Sequence, residues 1–502
     1  MSGDLTIEDL TTLTENAQQF RPIFQAHNAA AERIVERLHK ALQLPNTKAK
    51  APQYQNAIAS FLAAFQTAAL NGQSHMTISL KNDAYSKYNK SYGRKIIRNT
   101  YDALLQHGIL TQLSLGRRIF EGDKQDDGRS AKFQGFLTLC QFDSTLTADP
   151  DFWDAQYIDT GVPLVEINQE RIPQQRRLDK YYGRKTPKVP KTDLTEFERH
   201  QFDQEELRVQ SLQNFWQHHP LSLTFKRRDI EYTRTTASAT RIFHERDFYK
   251  GGRFYGAWTN EPSSTRLKAK INNEPVAEID IRASQPTLLS LFTGKMMKVS
   301  SAKNKNLGDT WDDIYDLIGR SMHKNARSLY DAEHRRVKIK KCIMTMIGLG
   351  NPYPKKIPQL ADTDKFTFSD SPFGKATNEF EYLCERSRYI VPALHSLGKT
   401  FNGQTLDTHF LSYHESEVIL ATIRGLHAEG IPAYPMHDCL IVPRSKAIRA
   451  STILQNTIRD YSNRLTSSNH YILVPLTIEK GGYETLTLRG RLIEEALPPS
   501  YP

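Results

Sequence analysis

The sequence predicts an α+β protein: an antiparallel sheet packed with helices, preceded by a helical N-terminal region. Three observations carry that expectation. From about residue 246 onward, strand-like and helical stretches alternate, the pattern of a mixed fold in which helices cover a sheet. PVAEIDI at 275–281 and IPAYPMHDCLIVP at 431–443 are apolar runs of strand length, the second broken by a His-Asp pair suited to a tight hairpin connection. IASFLAAFQTAAL at 57–69 repeats apolar residues at three- and four-residue spacing, as a core-facing helix does.

Length and charge narrow the class. The chain has 502 residues, a formal net charge of +11 and a pI near 9.2, enough length for two or three domains and the cationic balance expected of a nucleic-acid binder. A merely basic soluble protein is the plainer reading, because net charge governs association rather than fold. Cys140, Cys342, Cys384 and Cys439 are far apart and form no CxxC or Cys/His cluster, which argues against a disulfide framework or a structural zinc site and for a reducing compartment. The N-terminus MSGDLTIEDL is acidic and lacks a basic-then-apolar leader. No apolar run reaches the roughly 20 residues of a membrane span, so a cytoplasmic location is expected.

Residues 1–75 read as helices. Next, SYGRKIIRNTYDALLQHGIL at 91–110 reads as a basic helix closed near Gly108, followed by two strand-like runs around the polar stretch EGDKQDDGR, the order of a winged helix. In such a module one helix face is buried and the other meets the groove. Ile97, Tyr101 and Leu104 would then be buried, Arg94, Lys95 and Arg98 would face phosphate, and Arg117 and Arg118 would sit on the wing. A helix and hairpin that simply pack on the rest of the protein would leave the same pattern. Between about 146 and 245 the chain turns polar. RIPQQRRLDKYYGRKTPKVPK at 171–191 suits an extended linker, or a basic track with tyrosines for stacking bases. FERHQFDQEELRVQSLQNFWQHH at 197–219 regains helical periodicity.

Chemistry concentrates in four short strings of the C-terminal half: GGRFY at 251–255, EIDI at 278–281, RVKIKKCIMT at 336–345 and MHDCLIV at 436–442. Asp280 ends a buried strand beside the start of a helix, a costly place for an acid unless a cation pairs with it. Asp438 stands at a hairpin, where a carboxylate can project without breaking the ladder. Each alone is weak, since capping aspartates and chance His-Asp pairs are common. Together they are the carboxylate pair that holds Mg²⁺ against phosphates. Arg336 and Lys340 are four residues apart on one helix face, where both reach a single polyphosphate, although a solvated basic face has the same spacing.

The order Gly-Arg, Asp, R-x-x-x-K on a helix, then His-Asp at a hairpin resembles the palm and fingers of family A DNA polymerases and of the related single-subunit RNA polymerases of phages and mitochondria. The resemblance covers roughly residues 246–445. GGRFYGAWTNEP, with Arg266 beyond, is similar to the family A segment upstream of the first catalytic aspartate. WDDIYDLIGRSM at 311–322 and KKCIMT at 340–345 are nearer to the RNA polymerases. The resemblance implies a right-hand polymerase with an antiparallel palm sheet and helical fingers. It implies that Asp280 and Asp438 ligate two Mg²⁺ ions, with Mn²⁺ able to substitute, and that Arg336 and Lys340 hold the incoming triphosphate. Arg253 and Arg266 would contact primer or template, and His437 would lie near the primer terminus.

Departures bear on the sugar. Where family A enzymes carry a Glu five residues after the first Asp, blocking a ribose 2′-hydroxyl, this chain has Gln285, which favours deoxyribonucleotides mildly. The tyrosine that ends the fingers helix falls near Gly348, and the residue after the second Asp is Cys439. The N-terminal half lacks a convincing Asp-x-Glu strand with later acidic partners, so proofreading is not expected. The expected organisation is a helical and winged-helix region at 1–145, a charged linker with thumb-like helices at 146–245, a palm and fingers core at 246–490 and a tail at 491–502. The activity implied is template-dependent nucleotidyl transfer on DNA, recruited to an origin, a DNA end or a mobile element. A single-subunit RNA polymerase, or a non-catalytic replication initiator or repressor that only binds DNA, stands as the alternative.

Overall fold

The structure, a computed structural model, describes residue 13 and residues 17–70, 72–80, 93–114, 138–159, 162–170, 186–227, 230–295, 310–311, 313–323, 331–354, 376–466, 471–481 and 484–493. The fold is α+β. The chain forms two compact units: Met1–Leu164 with Trp216–Thr240 and Gly256–Asn272, and Val165–Phe215 with Arg241–Tyr255 and Asn273–Pro502. The stretch 146–245, charged as it is, contributes helix and strands to both, because segments distant in sequence pair as strands.

The first unit is built around a long apolar helix. Helix α1 (Ala29–Ala41) starts at Asn28, whose side chain accepts from the Ala31 amide at 3.0 Å, the usual way an orphan donor of the first turn is satisfied. Helix α2 (Ala51–Leu70) follows, then strand β1 (His75–Ile78), helix α3 (Arg94–Gln106) and strands β2 (Leu110–Ser114) and β3 (Thr138–Phe142). Strand β3 lies between β1 and β2 and is antiparallel to both. Phe61 and Phe65 of α2, Ile97, Tyr101 and Leu104 of α3, Met76 and Phe142 share one core, so the buried face of α3 is the one its spacing predicts. Arg94, Lys95 and Arg98 are on its exposed side. Arg94 donates to the Leu80 carbonyl and Arg98 pairs with Asp102 at 3.1 Å. The expected wing, with Arg117 and Arg118, lies outside the described residues.

Arg266 belongs to this first unit. It is buried, and its guanidinium donates to the Glu261 carbonyl.

In the second unit, helix α4 (Glu196–His218) opens on a reciprocal cap. The Glu198 carboxylate accepts from the Thr195 amide at 2.8 Å while the Thr195 hydroxyl accepts from the Glu198 amide at 3.3 Å, a capping box readable from the sequence TEFE. Strands β4 (Ala239–His244) and β5 (Asp247–Gly256) follow, then β6 (Glu274–Ile281) and helix α5 (Ser284–Thr293). Helices α6 (Ile314–Ser321), α7 (Ala332–Leu349) and α8 (Thr408–Ala428) lead to the hairpin of β7 (Tyr434–Met436) and β8 (Cys439–Pro443). Helix α9 (Ala447–Thr466) and strands β9 (Leu476–Lys480) and β10 (Glu484–Leu488) complete it.

Strand β6 is the middle of the antiparallel order β7, β8, β6, β9, β10. Side chains alternate across a sheet, and here the alternation separates two chemistries. Ala277, Ile279, Leu440, Val442, Leu476 and Ile478 form a buried apolar face; α9 packs against β6 and β8, and α5 and α8 pack on α9. Glu278 and Asp280 point the other way. The sheet's hydrophobic side thus anchors a strand whose opposite side carries acids.

Candidate active site

Two features of the backbone set the acids in place. Asp280 pairs with Cys439 in the ladder of β6 and β8. The hairpin that precedes Cys439 is closed by only two residues, His437 and Asp438, because Met436 and Cys439 are partners. The Ile281 amide donates to the Asp438 carbonyl at 3.3 Å. The two aspartates that the sequence places 158 positions apart therefore stand at one end of the sheet, Asp280 on β6 and Asp438 in the turn that leads into the neighbouring β8. Two residues next to them adopt the left-handed region although neither is glycine: His437 (φ 57°) beside Asp438, and Ala283 (φ 51°) between β6 and α5. Such conformations persist only where surrounding structure enforces them, and they gather at functional sites.

The electrostatics of the acids are unfavourable as they stand. Burial, then the negative charges of Asp438, Glu479 and Glu278, push the Asp280 carboxyl up to about 8, and the Lys340 ammonium opposes that shift. Glu479 faces Glu278 directly across β6 and β9, a like-charge pair that costs stability in an antiparallel ladder. A face of this kind calls for protons or cations. Hard carboxylate oxygens suit Mg²⁺, which takes one or two carboxylates and completes its shell with water and phosphate. Among the described residues no group of three or more His, Cys, Asp or Glu side chains is arranged to hold a metal unaided.

Cations approach from α7. Asp331 caps that helix by accepting from the His334 amide at 2.8 Å, and Gly350 (φ 56°) closes it. Ile339, Cys342, Ile343, Met346 and Ile347 are buried while Lys340 is exposed, so the apolar end that follows the basic start is the packing face. Arg336 lies over the Tyr315 ring at 5.3 Å and pairs with Asp313 at 2.8 Å. Asp313 is almost fully buried and also caps α6, accepting from the Tyr315 amide at 2.7 Å. The Tyr315 hydroxyl is held neutral by burial and by the charge of Asp313, with Asp438 and Asp280 adding to it.

The GGR segment is held by one turn of α8. Arg241, fully buried, donates through Nε to the Gly252 carbonyl at 2.8 Å and pairs with Glu205 and Glu417. Arg208 bridges the same two carboxylates at 2.6 and 2.7 Å. A side chain on Gly252 (φ 69°) would put its Cβ 3.0 Å from both Arg241 Nη2 and Ser416 Oγ. Glycine is required there for both backbone angle and space. Arg253 comes next. Its guanidinium donates to Glu415 Oε1 through Nε at 2.9 Å and Nη2 at 2.5 Å, and Asp438 contributes to holding its charge. Glu415 is completely buried, accepts from Ser284 Oγ at 2.8 Å, and is pushed up to about 7 by burial and by the Asp438 charge.

Of the remaining expected residues, His437 meets the Tyr255 ring edge-on at 5.7 Å. Gln285 is buried in the first turn of α5, where its Nε2 donates to Ser412 Oγ at 3.4 Å and its Oε1 takes no hydrogen bond among the described residues. The structure brings Asp280, Asp438, Lys340 and Arg253 into one electrostatic neighbourhood. Sequence reasoning missed Asp313, Glu415 and Glu479. WDDIYDL and SYHESEV were visible as strings, but nothing local distinguishes which of their acids turns inward.

No family model matches the chain, and no curated protein matches it. Among solved structures it is similar to the POL domain of Pol1 from M. smegmatis in complex with DNA primer-template and dNTP, at 9% identity and a TM-score of 0.29, covering 96% of this chain and 69% of that one. A likeness of that size adds nothing to the argument from geometry. No helix among the described residues is long and apolar enough to cross a membrane.

Proposed function

We propose that the chain is a nucleic-acid polymerase that adds deoxyribonucleotides to a 3′-hydroxyl on a DNA template, with Asp280 and Asp438 ligating two Mg²⁺ ions. The observation that supports this reading is the pairing of Asp280 with Cys439, which puts Asp280 at the end of β6 next to the turn that carries Asp438, with the charge of Lys340 acting on Asp280. The ions supply charge neutralisation at the reacting phosphate and lower the cost of ionising the attacking hydroxyl. The chain's own residues position and neutralise, which is most of what phosphoryl transfer asks of a protein. The 3′-oxygen attacks the α-phosphorus in line, the bond to the bridging oxygen breaks, and pyrophosphate leaves. Lys340 and Arg336 are proposed to hold the β- and γ-phosphates, with Arg336 exchanging Asp313 for the substrate. Arg253 and His437 would meet the primer end.

Discrimination between deoxyribose and ribose is proposed to involve Gln285, whose buried Oε1 is an unsatisfied acceptor. In the first unit, the order α2, β1, α3, β2, β3 with β3 between its neighbours supports a winged-helix module, with the exposed side of α3 facing duplex DNA through Arg94, Lys95 and Arg98. Buried Arg266, in that same unit, holds the Glu261 carbonyl and would have to leave it to meet nucleic acid.

Primer extension tests the proposal. With a labelled primer–template, Mg²⁺ and dNTPs, the wild-type chain is expected to lengthen the primer and the NTP pool to serve poorly. Sequence-specific duplex binding without metal, and no incorporation from either pool, would replace the enzyme with a DNA-binding initiator or repressor.

A further inference from the structure

The three consecutive residues Glu415, Ser416 and Glu417 reach different parts of one segment. Glu417 pairs with Arg241 and Arg208. Ser416 donates to the Gly251 carbonyl at 3.4 Å and accepts from Arg241. Glu415 takes Arg253 with one oxygen and Ser284 with the other. Glu417 shares both of its arginines with Glu205: fully buried Arg241, and Arg208, whose side chain keeps 28% of its exposure, so each guanidinium is answered by two carboxylates. Glu415 differs in taking a single arginine, and the Arg253 side chain keeps 25% of its exposure while that of Glu415 keeps none. Arg253 Nη1 takes no acceptor among the described residues, and the charge of Asp438 acts on the same guanidinium.

From this geometry we infer that Glu415 is a positioning residue for Arg253: it fixes one edge of the guanidinium, the Nε and Nη2 N–H groups, so that the remaining N–H groups face a phosphodiester lying beside Asp438. The inference rests on the polymerase reading above and deepens it by naming how the nucleic-acid strand is gripped. An arginine whose fork is already oriented loses less freedom per hydrogen bond made to phosphate. The Ser284 contact adds a second link. Ser284 is the first residue of α5, just beyond the left-handed Ala283, so Glu415 ties the phosphate-binding cation to the turn that follows Asp280. The same carboxylate therefore aligns the strand grip and the metal-bearing strand.

The test is a double-mutant cycle on the affinity of the full chain for a fluorescein-labelled primer–template duplex, measured by anisotropy in EDTA so that no turnover intervenes. E415Q and R253A are each expected to weaken binding about tenfold, the loss of one hydrogen bond to a charged group, and the double variant to bind no more weakly than R253A alone. The KM for the incoming nucleotide in wild type and E415Q should agree within about twofold, a split that a general loosening of the fold would not give. E415Q binding like wild type, or a double variant whose loss is the product of the two single losses, overturns the inference. Should E415Q fail to fold, R253K answers the same question, because lysine keeps the charge but cannot span carboxylate and phosphate. Wild-type affinity in R253K overturns the inference, and a tenfold loss at an unchanged melting temperature supports it. Wild-type primer extension with either negative result would leave the polymerase reading standing, whereas a wild type that extends nothing would sink that reading first.

Discussion

Arg336 donates to Asp313 Oδ2 through Nε at 2.8 Å, and Asp313 is nearly inaccessible to solvent. The cation proposed to bind the nucleotide is thus held by a buried acid. Arg336→Ala should raise the KM for the incoming nucleotide about ten- to a hundredfold, the range for losing a hydrogen bond to a charged group of about 1.5–3 kcal/mol. Asp313→Asn should lower that KM, because it removes the competitor, at some cost to the α6 cap. Steady-state kinetics on one primer–template with varied nucleotide check both directions.

The raised pKa of Asp280 makes the proposed metal binding pH-dependent. Its folded-state value is raised to about 8 from an ordinary 3.8, so the folded metal-free protein binds more protons than the unfolded chain between those limits. Stability without metal is therefore expected to fall as pH rises from about 4 to about 8. Mg²⁺ must displace that proton, so the rise in melting temperature on adding Mg²⁺ should be larger at pH 8.5 than at pH 6. Thermal melts with and without Mg²⁺ at the two pH values check the sign. Asp280→Asn should flatten both trends.

Gly252 is a conformational requirement rather than a spacer. Gly252→Ala forces a left-handed φ on a residue with a side chain and drives its Cβ against Arg241 and Ser416. A loss of about 1–3 kcal/mol in unfolding free energy is expected, measured by urea denaturation. Because Arg253 is the next residue, affinity for primer–template should fall with it.

Gln285 carries the choice of sugar in this account. Gln285→Ala should raise the relative use of NTPs over dNTPs, read as the ratio of kcat/KM for the two pools on the same template. An unchanged ratio would assign discrimination to another residue.

The parts of the fold legible in the sequence are those set by local pattern. The β6 strand, the two-residue hairpin at His437 and Asp438, and the helix that carries Arg336 and Lys340 lie where periodicity and turn chemistry put them. The buried face of α3 likewise follows from the spacing of Ile97, Tyr101 and Leu104. What was not legible depends on contacts between distant segments. Glu415 and Arg253 are 162 residues apart, and Arg241 and Glu417 are 176 apart. Helical periodicity shows that SYHESEV has an inner face but not that its acids meet arginines there. Asp313 illustrates the same limit: as a cap it is readable from Asp-Ile-Tyr, yet its second role requires knowing that α7 passes alongside. The Glu278 and Glu479 pairing depends on strand register, which neither strand specifies alone.

The central claim is that Asp280 and Asp438 hold divalent cations in common. Electron paramagnetic resonance of Mn²⁺, titrated into the full chain with primer–template and a non-hydrolysable nucleotide, measures this most directly. Two bound Mn²⁺ ions with spin coupling between them are expected in wild type, with loss of that coupled pair in both Asp280→Asn and Asp438→Asn. A coupled pair that survives either substitution, or a wild type that binds none, would contradict it.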